Sequence, residues 1–479
     1  MHSLKFNNTY VTQLSSLRFY SYVKPAIPLT NPYLISFNDI VAEMIGLNKS
    51  SNLEDLLCAN VLFPGSVPVA MIYAGHQFGY FTSQLGDGRA LLLGEVVDNE
   101  GNHWALHAKG TGPTPYSRGG DGRAVLRSSI REYLVSEAMG YLNIPTTRAL
   151  SLVGSKMAVY RETVETAAIV IRVAHPSAFV RFGTFEIFSS RGQHLEVKQL
   201  ADYVIDHTHE FYDLRDKSAT TKYSEFLIQV ARLTGYLVAK WQIYGFTHGV
   251  LNTDNMSILG VSIDYGPYGF IEDKWKDYIP NHSDGEGRYA FDKQPTIGEW
   301  NLMKLVTAFS SLVSDEHYTV VSNMYWKTYE DHYGELMRKK LGLVTFLYSD
   351  KLLWEELLEL LDANHIDYTI FWRKLADKNK DSTYPELSSW FVKYEKRLAL
   401  EASYGQRSRT ERMNKINPKY ILRNYLAHTA ILKAQKDDFR EVNKLLRLLR
   451  RPFDEQPEME QYSKKSPEWA KKLVISCSS

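Results

Sequence analysis

The stretch His248-Gly249-Val250-Leu251-Asn252-Thr253-Asp254-Asn255, followed by Met256-Ser257-Ile258-Leu259 and then Ile263-Asp264-Tyr265-Gly266, decides how this chain is read. A polar loop rich in acceptors runs into a short apolar segment, and a second carboxylate follows across a short hairpin. Asn and Asp suit turn geometry, so one reading is a polar turn between two strands. The other is the metal side of a nucleoside-triphosphate site. An Asp and an Asn carbonyl on one loop, with Asp264 opposite, can hold Mg²⁺ against phosphate oxygens. The stretch alone leaves both readings open.

Working outward, helical periodicity covers 197–214 and 223–244, and the second segment delivers Gly245-Phe246-Thr247 into the loop. His207 and His209 are two residues apart and do not share a helix face, which argues against a metal pair. Downstream, 267–298 is irregular and rich in Asp, Gly and aromatics, as a substrate-facing loop would be. Helices are expected over 300–313, 320–339, 353–362 and 386–402, with another opening at 417–425. The basic, Leu-bearing segment 440–451 reads as a helix packed on the core with a solvated basic face, lacking the wide apolar arc of a membrane anchor.

Upstream the chain reads as strands. Gln84-Leu85-Gly86-Asp87-Gly88-Arg89 leads into an apolar strand at 90–97, a turn at 99–102 and a return strand ending in Leu106-His107-Ala108-Lys109-Gly110. A lone Gly-x-Gly is usually a turn, but one hairpin ahead of a Lys its N–H groups and Arg89 can face phosphate oxygens. The Gly/Pro/Arg-rich segment 110–123, containing Asp121-Gly122, is expected to be a ligand-binding loop. A helix over 128–139 is stopped by Gly140 at C′; Glu132 lies near its apolar face and can point toward the sheet to position Lys109, the other reading being a solvated Glu. Strands are expected at 149–153, 158–160 and 168–173. Arg172 lies within the apolar run Ile169-Val170-Ile171-Arg172-Val173 and needs an anion or a partner. Arg181 lies just beyond, and two Arg at one sheet edge suit a triphosphate. Ion pairs with Glu186 or Glu162 are the rival reading. His76 shows no metal spacing and reads as a structural or loop residue.

The totals set bounds. The chain of 479 residues carries a formal net charge of +1, so no global field argues for nucleic acid or an anionic membrane surface. Cys58 and Cys477 cannot make a disulfide framework, which suits a reducing compartment. The N-terminus lacks the apolar core of a secretory signal, and no run approaches ~18 apolar residues. A cytoplasmic protein is expected.

The ordered set of glycine loop, strand Lys109, helix Glu132, loop 248–255 and Asp264-Tyr265-Gly266 follows the order of protein kinases. More closely, the chain resembles the selenoprotein O family of kinase-like proteins. Gln84 to Arg89, Lys109-Gly110-Thr111-Gly112-Pro113-Thr114-Pro115, Arg181-Phe182-Gly183, the string His248 to Leu259 and Ile263 to Gly269 carry the resemblance, which covers nearly the full length. It implies an α+β, protein-kinase-like bilobal fold, with a smaller β-rich lobe over 1–180 and a larger helical lobe over 181–479. It also implies ATP bound in an inverted orientation and transfer of AMP to Ser, Thr or Tyr hydroxyls of protein substrates, with UMP from UTP as a variant. Nucleotide contacts would fall to Gly86, Gly88, Arg89, Lys109, Asp121, Gly122, Arg172, Arg181 and Asp264, with Glu132 in support. Asp254 would be the base, and Asn255 and Asp264 would hold Mg²⁺ or Mn²⁺. A monomer is expected, with no nucleic-acid or membrane partner.

One departure from ordinary kinases has a physical reading. Val250 occupies the position of the kinase catalytic Asp and can neither accept a proton nor bind metal, while Asp254 precedes the metal-type Asn255. The base is displaced along the loop. A conventional γ-phosphoryl kinase and an inactive ATP-binding scaffold are the alternatives. Two departures concern the family. The segment 175–179 between the two Arg is longer than its pattern. Pro280 stands where a partner for Cys477 would be sought, so the resemblance gives no ground for a gating disulfide.

Overall fold

The computed structural model describes residues 4–14, 18–25, 27–48, 53–377, 380–401 and 405–476. Cys477 lies outside them. The fold is α+β. Its centre is an antiparallel sheet ordered Tyr20–Tyr22, Val69–Met71, Ala90–Val97, His103–Lys109, Val164–Ala174, Arg148–Tyr160, Tyr33–Phe37. Lys5–Phe6 adds to Ala90–Val97, and Ala124–Val125 adds to Val164–Ala174. Ala90–Val97 is buried almost end to end, which explains why it reads as a continuous apolar run and not an alternating one.

Register places the cationic residues. Lys109 pairs with Ala90 on one side and Val170 on the other, and His107 lies opposite Arg172. Because side chains alternate along a strand, His107, Lys109 and Arg172 share one face. The helix Leu126–Tyr141 packs on Arg148–Tyr160 and Val164–Ala174, burying Ile130, Tyr133, Leu134 and Ala138.

From Phe182 onward helices dominate. The 26-residue helix Ala219–Tyr244 ends at Gly245, whose φ of 70° is the left-handed turn that releases the chain into the loop. Phe246–Thr247 pairs with Gly269–Phe270, closing a hairpin around the decisive stretch. The helix Gln294–Ala308 supports it. Gln294 bonds both Phe246 O and His248 N at 2.8 Å, and Asn301 Nδ2 donates to Leu251 O at 2.8 Å. Arg440–Leu449 packs against Leu126–Tyr141 and Asn424–Ala434 with its Leu face buried, as its pattern predicts.

Several boundaries differ from expectation. The helix at 128–139 runs through Gly140 to Tyr141, and the left-handed residue is Asn143. Gly140 lies against the Arg148 side chain, not at a cap. The strands at 149–153 and 158–160 are one strand with a register shift between Gly154 and Ala158; a bulge has the residue types of a turn. The segment 197–214 is the helix His194–His207 followed by a 3₁₀ turn, His209–Leu214, because Thr208 is extended. The helix Phe182–Ser190 is short and buried on every side as far as Phe188, polar Thr184 and Glu186 included, so it has no amphipathic periodicity to detect. The irregular piece ends at Lys293, and the following helix starts with Pro295 in its first turn. Among the described residues, no helix is long and apolar enough to cross a membrane.

Candidate active site

The residues singled out in the sequence meet in one cleft. A cavity of about 580 Å³ is lined by Gly86, Gly88, Arg89, Lys109, Asp121, Gly122, Arg172, Arg181, Asp254, Asn255 and Asp264. Seven cationic side chains and four carboxylates line it, so a chain that is nearly neutral overall concentrates positive charge here.

Asp264 is the electrostatic hub. It sits at φ 55°, a left-handed position that costs an Asp little more than an Asn. Its carboxylate accepts from Arg181 and Arg172 in short contacts and from Lys109 at 3.2 Å. Burial opposes its charge, but Arg181, Arg172 and Lys109 outweigh burial and hold its pKa well below the ordinary carboxylate value. Glu132 backs the cations from the helix Leu126–Tyr141, 2.7 Å from Lys109 Nζ and 3.2 Å from Arg172 Nη1.

Arg181 is more central than the spacing of 175–179 suggests. The extra residues form a 3₁₀ turn, Pro176–Phe179, and Arg181 then caps the helix Phe182–Ser190. Its Nη1 donates to Asp254 O at 2.6 Å, and its guanidinium lies over the Tyr73 ring. The rival ion pairs do not form. Glu186 instead meets His76 at 2.5 Å and accepts from Thr253, while Glu162 stands near Arg127.

Asp254 has the opposite environment. Burial pushes its pKa up to about 7, against the pull of Arg181 and a hydrogen bond from Gln77 Nε2 at 3.2 Å. Its Oδ1 is buried without a hydrogen-bond partner. Two carboxylates in one cleft are thus driven apart, Asp264 ionised and Asp254 able to take up a proton near neutrality. His248 does not contribute a proton. It is buried, its pKa is lowered chiefly by burial, and its Nε2 bonds Ile263 O at 3.0 Å, tying the loop to the segment bearing Asp264.

The glycine loop works differently from the simplest expectation. Asp87 N donates to Met71 O and Gly88 N to Gly86 O, so those N–H groups are committed within the protein. A Cβ on Gly86 would lie 2.5 Å from the Tyr116 ring, and one on Gly88 2.8 Å from Tyr116 O. The two glycines let the loop 110–123 fold back over them, and the exposed Arg89 side chain is left toward the cleft. The Asp121 carboxylate is gripped by Arg161 at 2.8 and 2.9 Å, which fixes that arginine at the rim. Arg161 carried no sequence signal, nor did Asp87. Asp87 is buried, bonded to His107 Nε2 at 3.1 Å and 3.8 Å from Arg181.

His76, in sequence a structural or loop residue, belongs to a hairpin of Gly75–Gln77 and Tyr80–Thr82. It lies directly on the loop. His76 N donates to Thr253 Oγ1 at 2.7 Å, and Phe78 N donates to the Tyr289 hydroxyl at 2.8 Å.

The donor set fits a divalent cation shared with phosphate. Asn255 commits its amide N–H to Val250 O at 2.9 Å, leaving its carbonyl oxygen as a hard acceptor on the cleft wall. Asp264 supplies carboxylate oxygens on the same wall. Hard oxygens of this kind suit Mg²⁺ or Mn²⁺. Among the described residues no group of three or more His, Cys, Asp or Glu makes an all-protein cage, so phosphate oxygens would complete the shell.

Fold and cleft together define an α+β protein whose buried cations converge on one ionised carboxylate beside a second, protonatable one. Sequence comparison agrees with that chemistry. Residues 2–450 match the family described as "Protein adenylyltransferase SelO", and the chain belongs to that family. It is 46% identical over 499 residues to a "Protein nucleotidyltransferase YdiU" of Thioalkalivibrio sulfidiphilus, covering all of this chain and 99% of the relative. Relatives of the same name from Myxococcus xanthus and Pseudomonas aeruginosa are 45% identical (all of this chain, 99% of the relative) and 44% identical (95% and 94%).

Proposed function

We propose that this chain, a protein nucleotidyltransferase by family, transfers AMP from ATP to Ser, Thr or Tyr hydroxyls of protein substrates, with Asp254 as the base. The observation that carries the reading is the state of Asp254. A buried carboxylate with a pKa of about 7 and an unpartnered oxygen, inside a cationic cleft, is poised to accept a proton.

In this reading the acceptor hydroxyl gives its proton to Asp254 as its oxygen bonds to the α-phosphorus. The bond from that phosphorus to the bridging oxygen breaks, and pyrophosphate leaves with the electron pair. Lys109 and Arg172, placed by Glu132 and the sheet register, and Arg181, placed by its bond to Asp254 O, offset phosphate charge; so do Arg89 and Arg161 at the rim. Asn255 and Asp264 would hold Mg²⁺ or Mn²⁺, which when bound lends Lewis-acid stabilisation to the phosphate oxygens. Nucleotide binding then requires Arg172 and Arg181 to turn from Asp264 to the phosphates. Val250, apolar at the place where a kinase has its base, supports a reaction other than γ-phosphoryl transfer.

We retain a kinase-like bilobal division near residue 180 as part of this reading, supported by the strands ending at Ala174 and the helices starting at Phe182. The test is the leaving group. Pyrophosphate should appear one for one with modified acceptor, and Asp254→Asn should stop both. Release of ADP instead would overturn the proposal.

A further inference from the structure

Beside the cleft, on the side of Asp254, lies a surface that nucleotide chemistry does not use. The hairpin that bonds Asp254 through Gln77 exposes Tyr80 and Phe81 on its second strand, 80% and 42% accessible. His76 of the same hairpin packs edge-on against Trp300 and also meets Phe81, with ring centroids 5.3 and 5.1 Å apart. Trp300 in turn carries two cations. The Arg288 guanidinium is 4.5 Å and the Lys304 ammonium 4.7 Å from its ring centroid. Among the described residues neither has a carboxylate within 4 Å, and Arg288 Nε and Nη2 are buried without hydrogen-bond partners. A guanidinium and an ammonium over one indole concentrate positive charge at this surface, where a carboxylate can pair with them.

We propose that Tyr80, Phe81, Trp300, Arg288 and Lys304 form the docking surface for the acceptor protein, and that it selects a segment carrying an acidic residue near the hydroxyl to be modified. This rests on the reading of Asp254 as the base. The hairpin links the two: its Gln77 and Phe78 line the cleft, while Tyr80 and Phe81 on its second strand stand outside it. A chain lying across Tyr80 and Phe81 would stack its apolar atoms there, place a carboxylate on Arg288 and Lys304, and lead its hydroxyl toward Asp254. Charge complementarity sets the choice of partner, since aromatic area alone would accept a basic segment equally well.

The test uses the full chain and two synthetic peptides of equal length, each with one Tyr, flanked by Glu in one and Lys in the other. Binding is read by anisotropy of labelled peptide, and transfer by label from the α-phosphorus of ATP. The wild-type chain should bind and use the Glu peptide about tenfold better. Arg288→Glu with Lys304→Glu should remove or reverse the preference, with the affinity for ATP unchanged. Lys304→Glu alone and Tyr80→Ser change partly or largely exposed side chains and should each weaken the Glu peptide severalfold without disturbing the fold. Equal binding of the two peptides, binding of neither, or a preference that survives the double variant would overturn the docking surface. Selective binding of the Glu peptide without α-label on any protein or peptide would support the surface and strike instead at AMP transfer.

Discussion

A Cβ placed on Gly75 would stand 2.6 Å from Oδ1 of Asp254 and 2.9 Å from its Cβ. The hairpin and the loop are pressed together at the carboxylate that does the chemistry in this account, and the absence of a side chain at 75 leaves Asp254 its position. Gly75→Ala should therefore displace the base without touching the cations. Transfer should fall by about 10²-fold, as expected for a misplacement of about 1 Å, while ATP affinity changes less than about threefold. Steady-state kinetics beside nucleotide titration checks the split; an unchanged kcat would mean that the contact does not matter.

The pH profile follows from Asp254. Its folded pKa is raised from 3.8 to about 7, so below that pH the base holds a proton and is inactive. Activity should rise tenfold per pH unit up to about pH 7 and then level off. Gln77 favours the ionised form through its hydrogen bond, so Gln77→Ala should move the rising limb to higher pH. For stability the sign is the reverse. An unfolded chain loses this proton near 3.8, whereas the fold keeps it to about 7, so ionisation costs stability progressively between those values and fully above them. Asp254→Asn should accordingly be more stable than wild type at pH 8 and indistinguishable from it below pH 3.8. Denaturant midpoints at the two pH values decide this.

Asp264→Ala should abolish metal-dependent nucleotide binding and also weaken the fold. Arg172 and Arg181 are almost fully buried and would lose their strongest counter-charge, a change that costs about 3 kcal/mol for a buried pair. Glu132 and Asp87 remain near them, so the loss should not be larger. Inorganic tripolyphosphate, supplying the missing negative charge, should stabilise the variant more than the wild type in thermal melts. Full metal-dependent ATP binding by the variant would remove Asp264 from the metal site.

Glu132→Gln tests the second layer. Lys109 would lose its 2.7 Å partner and lean on Asp264 alone. The kcat/KM for ATP should fall roughly tenfold, the scale of one buried ion-pair contact. The acceptor KM should stay unchanged. A loss confined to the acceptor would contradict the assignment of Lys109 to the nucleotide.

The sequence was most informative where chemistry and short-range geometry coincide. Lys109, Glu132, Arg172, Asp254 and Asp264 stood out because ionisable residues in apolar or loop-specific settings need partners, and the cleft brings all of them together. Local signals failed where tertiary contacts decide. The helix Phe182–Ser190 is buried on every side as far as Phe188 and has no amphipathic period, and Gly140 has the look of a cap but lies against the Arg148 side chain. Gly86 and Gly88 suggested a phosphate cradle, yet their lack of side chains accommodates Tyr116, a neighbour 28 residues away from Gly88 in sequence. The role of Asp87, holding His107 and Arg181 from beneath, depends on sheet register that no single sequence displays.

In the proposed reaction the α-phosphorus, not the γ, is attacked by a hydroxyl whose proton goes to Asp254. Parallel incubations of the full chain and candidate acceptor proteins with ATP labelled at either phosphorus test it most directly. Covalent label should appear on protein from the α position only and be lost in Asp254→Asn. Label from the γ position only, or α-label that persists undiminished in Asp254→Asn, would contradict it.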